Sequence, residues 1–155
     1  MSRILIDANL LCLIVAGFSA PKAIGRHKRL KAYGVEDFER VRELITPFDK
    51  VITCPHILTE TSNLLANTND VEKRDLLEGL KVLLQNMEEV RPPSLLACDH
   101  QAYHRLGLTD AVLLSMELSG APLLTADLDL MLAASKEGRK AINYNWYRDA
   151  GNQIY

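Results

Sequence analysis

Four acidic residues of this sequence stand where a solvated side chain is not expected: Asp7, Glu60, Asp110 and Asp127. Asp7 ends the apolar run RILI, Asp127 follows PLLTA, and Asp110 opens an apolar helix. Glu60 falls within the apolar stripe of its helix. An isolated buried carboxylate costs several kcal/mol, whereas carboxylates gathered around a cation are compensated. Because the donors are oxygens, with no Cys or His beside them, the pattern favours Mg²⁺ or Mn²⁺ over zinc.

Strands and helices must bring these acids together, and the sequence alternates the two. Short apolar runs predict strands at residues 3–6, 51–53, just before 91–93, at 122–125 and at 140–143. Helical spacing predicts helices at 10–16, 35–48, 55–65, 69–87, 94–105, 108–120 and 127–137. This order predicts one α/β domain over residues 1–155, with a parallel sheet covered on both faces. If the strands before Asp7 and Asp127 are neighbours, both carboxylates lie in the crevice at the carboxyl edge of the sheet.

Composition predicts a soluble, unexported globular protein. The chain has 155 residues and a net charge of −2, which fits one domain with a single core. No apolar stretch approaches the ~20 residues of a membrane span, so we expect no membrane association. Cys12, Cys54 and Cys98 are odd in number and far apart, as in proteins of a reducing compartment. We therefore expect a cytoplasmic location.

Residues 20–35, here called the basic segment, are predicted to form a loop insertion without any acidic residue. Its cations are Lys22, Arg26, Lys28, Arg29 and Lys31. Such a block could hold a phosphate backbone, and His27 could join those contacts. The alternative is a solvated loop that is balanced by acids elsewhere. The sequence leaves both interpretations open.

The ordered set of acidic motifs resembles the PIN-domain nucleases. The matching motifs are IDANLL with Asp7 and Asn9, HILTETSNLL with Glu60, LGLTDAVLL with Asp110, and LLTADLDL with Thr125 and Asp127. The resemblance extends over about residues 3–142, and the order of the motifs is more specific than any one of them.

The resemblance implies a three-layer α/β/α PIN-like fold with a five-stranded parallel sheet, and hydrolysis of RNA phosphodiester bonds with Mg²⁺ or Mn²⁺. The four acids would be the metal-binding and catalytic residues. Asn9 and Thr125 would be polar supports on the substrate side of the site, and the cations of the basic segment would hold the remaining RNA. In such a site the metal activates a water and shields the charge that builds on the phosphate oxygens.

The resemblance also carries expectations about partners. Many small PIN proteins are toxins that pair with an antitoxin protein, so an antitoxin is one expected partner. Those toxins commonly have a shorter connection after the first strand than the basic segment provides here. Small PIN domains are often dimers, and we expect a homodimer by analogy alone.

Two other functions remain open at this stage. A haloacid-dehalogenase-type phosphatase would use Asp7 as nucleophile, but the second Asp that this chemistry usually has two residues later is Asn9 here. A non-catalytic PIN-like scaffold could bind RNA or protein without cutting it.

Asp129 is either a further ligand or a solvated residue. We do not assign a zinc site to His100 and His104, or a role to the tail NYNWYRDAGNQIY.

Overall fold

The protein forms a five-stranded, all-parallel sheet with helices on both faces, a three-layer α/β/α fold. The computed structural model describes residues 1–116 and 118–152. The strands are β1 Arg3–Ile6, β2 Lys50–Thr53, β3 Glu88–Glu89, β4 Leu123–Thr125 and β5 Ala141–Asn143. Their order across the sheet is β3-β2-β1-β4-β5, and every neighbouring pair is parallel. The predicted fold class and strand positions are therefore confirmed.

The helices alternate with these strands along the chain. Their bounds are α1 Ala8–Ser19, α2 Val35–Ile45, α3 Pro55–Leu65, α4 Asp70–Leu84, α5 Ser94–Cys98, α6 Tyr103–Leu106, α7 Leu108–Ser115, α8 Leu128–Lys136 and α9 Tyr144–Asn152. Helix α1 contacts α2, α3 and α4, whereas α7 contacts α5, α6 and α8. Among residues 1–116 and 118–152, no helix combines the length and the apolar character that crossing a membrane requires.

Helix α1 is the centre of the core because it is apolar on nearly every side. Its residues from Leu10 to Ala16 are all buried, which matches a helix without a polar face. Gly17 lets α2 approach closely, since a Cβ at this position would overlap the ring of Phe38. The three cysteines are free, with Cys12 and Cys54 buried.

The helix expected at 10–16 is longer than predicted, Ala8–Ser19, and four other predicted helices end early or divide in two. The helix expected at 35–48 stops at Ile45, because Pro47 has no N–H to continue the hydrogen bonds. The helix expected at 69–87 ends at Leu84. The helix expected at 94–105 is two helices, α5 and α6, since Nδ1 of His100 accepts the N–H of Ala102 in the turn between them.

The fourth is the buried helix expected at 108–120. It ends at Ser115, and position 117 of that prediction lies outside the described residues. Two residues with positive φ, Ser119 and Gly120, follow in a turn that leads to β4.

The basic segment is held against the core by a few buried side chains. It contains a 3-10 helix, Pro21–Ala23, and then turns in which His27 and Leu30 are buried. His27 Nδ1 accepts the N–H of Arg29 at 3.1 Å, so its proton lies on Nε2, which donates to the Leu65 carbonyl at 3.1 Å. The idea that His27 joins phosphate contacts is therefore wrong, because both nitrogens are engaged inside the protein.

Replacing His27 tests this anchoring. We expect His27→Ala to lower the free energy of unfolding by roughly 2–4 kcal/mol, because it leaves a cavity and an unpaired buried carbonyl. Lys28→Ala, at the exposed neighbouring position, should change it by no more than about 0.5 kcal/mol. Urea denaturation followed by circular dichroism measures both. Equal stabilities of the two variants would contradict the anchoring role.

Candidate functional site

The strand order reverses between β1 and β4, and this point defines the functional crevice of the sheet. From β1 the chain continues to β2 and β3 on one side, and β4 and β5 lie on the other. In open parallel sheets ligands bind at such a reversal, beyond the carboxyl ends of the strands. The N–H of Asp7 donates to the Leu124 carbonyl at 3.2 Å, which puts Asp7 beside the end of β4. The strands before Asp7 and Asp127 are therefore neighbours, which is the condition for both acids to lie at this crevice.

Asp7 is buried at this reversal, and its carboxylate is hydrogen-bonded from several sides. The residue is 5% exposed and caps the N-terminus of α1, where it accepts the N–H of Leu10 at 3.1 Å. Its other oxygen accepts the hydroxyl of Thr125, and the backbone N–H of Ala126 lies near enough to lower the pKa of the carboxyl group. Burial raises the pKa of Asp7 to about 6, although these hydrogen bonds act in the opposite direction.

Thr125 joins the two strand ends through its hydroxyl group. The hydroxyl donates to Asp7 and accepts the N–H of Asp127 at 2.9 Å. Asp127 in turn caps α8, accepting the N–H of Leu130 at 3.1 Å. The same arrangement of strand, Asp and helix is thus repeated at β1 and β4.

Asp127 is exposed, so the expectation that all four acids avoid solvent is wrong at this position.

Glu60 and Asp110 approach the crevice from two helices that contact each other. Glu60 is half-buried on α3, and Asp110 is half-buried in the first turn of α7. Gly107 directs the chain into α7 with a φ of +90°, a conformation that favours glycine. Both acids line a surface cleft of about 710 Å³, together with Thr59 and Asn63.

Asp110 lies within electrostatic range of the other three acids. The pKa of Asp110 is raised to about 7, first by burial and then by the charges of Asp127, Glu60 and Asp7. Within the described ranges, however, no three acidic, His or Cys side chains are close enough together to hold a metal ion as they stand. Oxygen donors that repel one another fit a hard divalent cation, because the cation would remove that repulsion.

The cations of the basic segment divide into two groups. All five are exposed: Lys22, Arg26, Lys28, Arg29 and Lys31. Arg26 forms an ion pair with Glu72 of α4. Arg29, Asp7 and Glu60 all lie within electrostatic range of the buried Cys12 thiol, whose pKa burial raises to about 12.

Two residues near Asp7 carried no sequence signal. Burial and then the charge of Asp7 raise the pKa of Tyr33 to about 12, whereas Arg148 acts in the opposite direction. The Arg148 guanidinium lies 6.0 Å from the centre of the Tyr33 ring. Neither residue belongs to a periodic pattern or a motif, and only the folded chain brings them beside the site.

The most deeply buried acid was also missed, and it belongs to the framework. Asp37, 1% exposed, accepts the N–H of Gly34 at 2.8 Å and the hydroxyl of the buried Tyr144. Arg40 and Arg148 lie 3.5 and 3.4 Å from its Oδ1. These contacts compensate its charge and join α9 to α2.

The other candidate residues are exposed or engaged elsewhere. Asn9 is exposed in the first turn of α1, and Asp129 is exposed in the first turn of α8. The charge of Asp129 is not among those that act on Asp7 or Asp110. His100 is paired with Glu137, whose Oε1 lies 2.7 Å from the Nε2 atom of His100.

The chain matches no model of a known protein family and no curated protein. The resemblance to PIN-domain nucleases therefore depends on the motifs themselves.

The buried Asp7 makes the stability of the metal-free protein depend on pH. Its pKa rises from an ordinary 3.8 to about 6 on folding, so protonation favours the folded state. That contribution is complete below pH ~4 and is lost as the pH rises through about 6, a total of about 3 kcal/mol. Relative to Asp7→Asn, the wild type should lose about this much unfolding free energy between pH 4 and pH 8. Urea denaturation in EDTA measures it.

Asp75→Asn is the matched control for this measurement, because Asp75 is exposed on α4. Its stability should follow the wild type at every pH. A constant difference between Asp7→Asn and the wild type across this range would show that Asp7 ionises in the folded protein as it does in the unfolded chain.

Proposed function

We propose that this protein is a metal-dependent endoribonuclease that hydrolyses RNA with Mg²⁺ or Mn²⁺. The observation that supports the proposal best is that Asp7 and Asp127 end neighbouring strands and are joined through Thr125. Glu60 and Asp110 line one cleft, and the charges of the other three acids raise the pKa of Asp110. Acids from four separate parts of the chain repel one another at the strand-order reversal, and this arrangement costs stability. A divalent cation would compensate that cost and would account for the arrangement.

The four acids have different parts in this proposal. Asp7, Asp110 and Asp127 hold the principal cation, and Glu60 binds it, binds a second ion, or orients the attacking water. A bound divalent ion would activate that water and neutralise charge on the phosphate. Thr125 keeps Asp7 in place through its hydroxyl, and the N-cap hydrogen bonds fix Asp7 and Asp127 at the helix ends.

RNA is the proposed substrate because the protein combines the acids with a segment of exposed cations. Lys28, Arg29 and Lys31 are exposed on the basic segment, and α9 connects that segment to the loop that carries Asp127, through Arg148 and Asn145. Exposed cations next to an acidic centre can hold the phosphates on either side of the cleaved bond. Arg26 contributes less, since Glu72 neutralises it.

A non-catalytic RNA-binding scaffold is the second candidate. It is favoured by the separation of the acids, since no three potential ligands in the described part of the chain stand together. Equal RNA binding in EDTA and in Mn²⁺, without cleavage in either, would support the scaffold against the nuclease.

Further proposals concern location and partners. The three free cysteines support a reducing, cytoplasmic environment. A homodimer and an antitoxin partner are supported by the resemblance to small PIN-domain toxins alone.

Asp7→Asn should abolish cleavage of single-stranded RNA in Mg²⁺ or Mn²⁺, a loss of about 100-fold or more, because it removes a charged ligand of the cation. Circular dichroism should show an unchanged fold, since Asn also caps helices well. Asp75→Asn should retain wild-type activity. Cleavage by Asp7→Asn at the wild-type rate would contradict the assignment.

A further inference from the structure

Helix α9 begins at the same edge of the sheet as the acids. It follows β5 directly, and the last residue of that strand, Asn143, is in register with Thr125. Asn145 Nδ2 donates to the Ala126 carbonyl at 3.0 Å. Ala126 stands between Thr125, whose hydroxyl donates to Asp7, and Asp127, so the first turn of α9 contacts the loop that joins the two acids.

The next turn of α9 is attached to the basic segment. Arg148 Nη2 donates to the Ala32 carbonyl at 2.7 Å, and its guanidinium lies against Tyr33. Tyr144, one turn earlier on the same face, is buried with its hydroxyl on Asp37. Helix α9 therefore bridges the loop that carries Asp127 and the segment that carries the cations.

Between these anchors α9 exposes two large aromatic side chains. Trp146 is 59% exposed and Tyr147 is 52% exposed, and Trp146 is the single tryptophan of the chain. Neither is needed to anchor the helix, because Tyr144, Asn145 and Arg148 make the contacts described above. We call Trp146 and Tyr147 the aromatic platform.

Exposed aromatic side chains next to cations are typical of surfaces that bind single-stranded nucleic acid. Bases stack on the rings while basic residues follow the backbone. Helix α9 carries both Arg148 and Asp149, so the positive charge must come from the basic segment, where Lys28, Arg29 and Lys31 are exposed.

We propose that the aromatic platform stacks on unpaired bases of a single-stranded RNA whose phosphates follow the basic segment. This inference rests on the proposed function and deepens it, because it selects unpaired over base-paired RNA as the substrate. A base in a duplex is already stacked on both faces and cannot offer a free face to Trp146. The platform thus holds one part of the strand, and the acids act on a phosphate elsewhere in the same strand.

The fluorescence of Trp146 reports this contact directly. Titration of the full chain in EDTA with a 12-residue single-stranded oligoribonucleotide should quench the emission in a saturable manner. A duplex RNA of the same length should quench it far less. The absence of saturable quenching by the single strand would overturn the proposal.

Variants separate base stacking from other effects on RNA binding. The affinity of each variant is measured by the fluorescence anisotropy of a labelled oligoribonucleotide. Trp146→Ala should weaken binding about tenfold or more, whereas Trp146→Phe should retain most of the affinity. Phe18→Ala is the matched control: Phe18 is 55% exposed, near the opposite end of α1 from Asp7. Wild-type affinity in Trp146→Ala, or an equal loss in Phe18→Ala, would overturn the platform.

The failures of the two proposals are distinguishable. Quenching without any cleavage in Mn²⁺ would support the platform and reject the nuclease. Cleavage that disappears in Asp7→Asn, together with unchanged binding by Trp146→Ala, would support the nuclease and reject the platform.

Discussion

The hydrogen bond from Thr125 to Asp7 connects the ends of the two strands on which the candidate site depends. It joins the last residue of β4 to the residue after β1, across the point where the strand order reverses. Through the same hydroxyl, the backbone of Asp127 is held to Asp7. The carboxyl edge therefore has a fixed spacing between two acids, and the remaining acids approach it from α3 and α7.

This arrangement costs stability, and the protein compensates it only in part. The N-terminus of α1 offers N–H groups and a favourable dipole to Asp7, as the N-terminus of α8 does to Asp127. Burial still outweighs these contacts at Asp7, whose pKa remains above its ordinary value. Asp37 shows the contrast, because two arginines, a tyrosine hydroxyl and a backbone N–H surround that buried acid. An acid with such partners is structural, whereas an acid whose pKa burial raises and that lacks a cationic partner is typical of a binding site.

The fold was predictable because its signals are local. Short apolar runs and helical periodicity placed every strand within a few residues, and the alternation of the two implied a parallel sheet. Helix ends were less predictable, since they depend on side chains such as His100 that bond to the backbone in turns. The sequence predicted the burial of Asp7 correctly and that of Asp127 wrongly. The exposure of a side chain at a strand end depends on which other parts of the chain pack over it, and this is a tertiary property.

The sequence by itself determined the strand–Asp–helix units around Asp7 and Asp127, because N-capping and strand termination act within a few residues. Only the tertiary structure decided which of the other residues meet there. The ion pair that neutralises Arg26, the inward turn of His27, and the approach of Tyr33, Arg148 and α9 to Asp7 all join residues far apart in the chain. Such contacts depend on the strand order, and no local pattern encodes it.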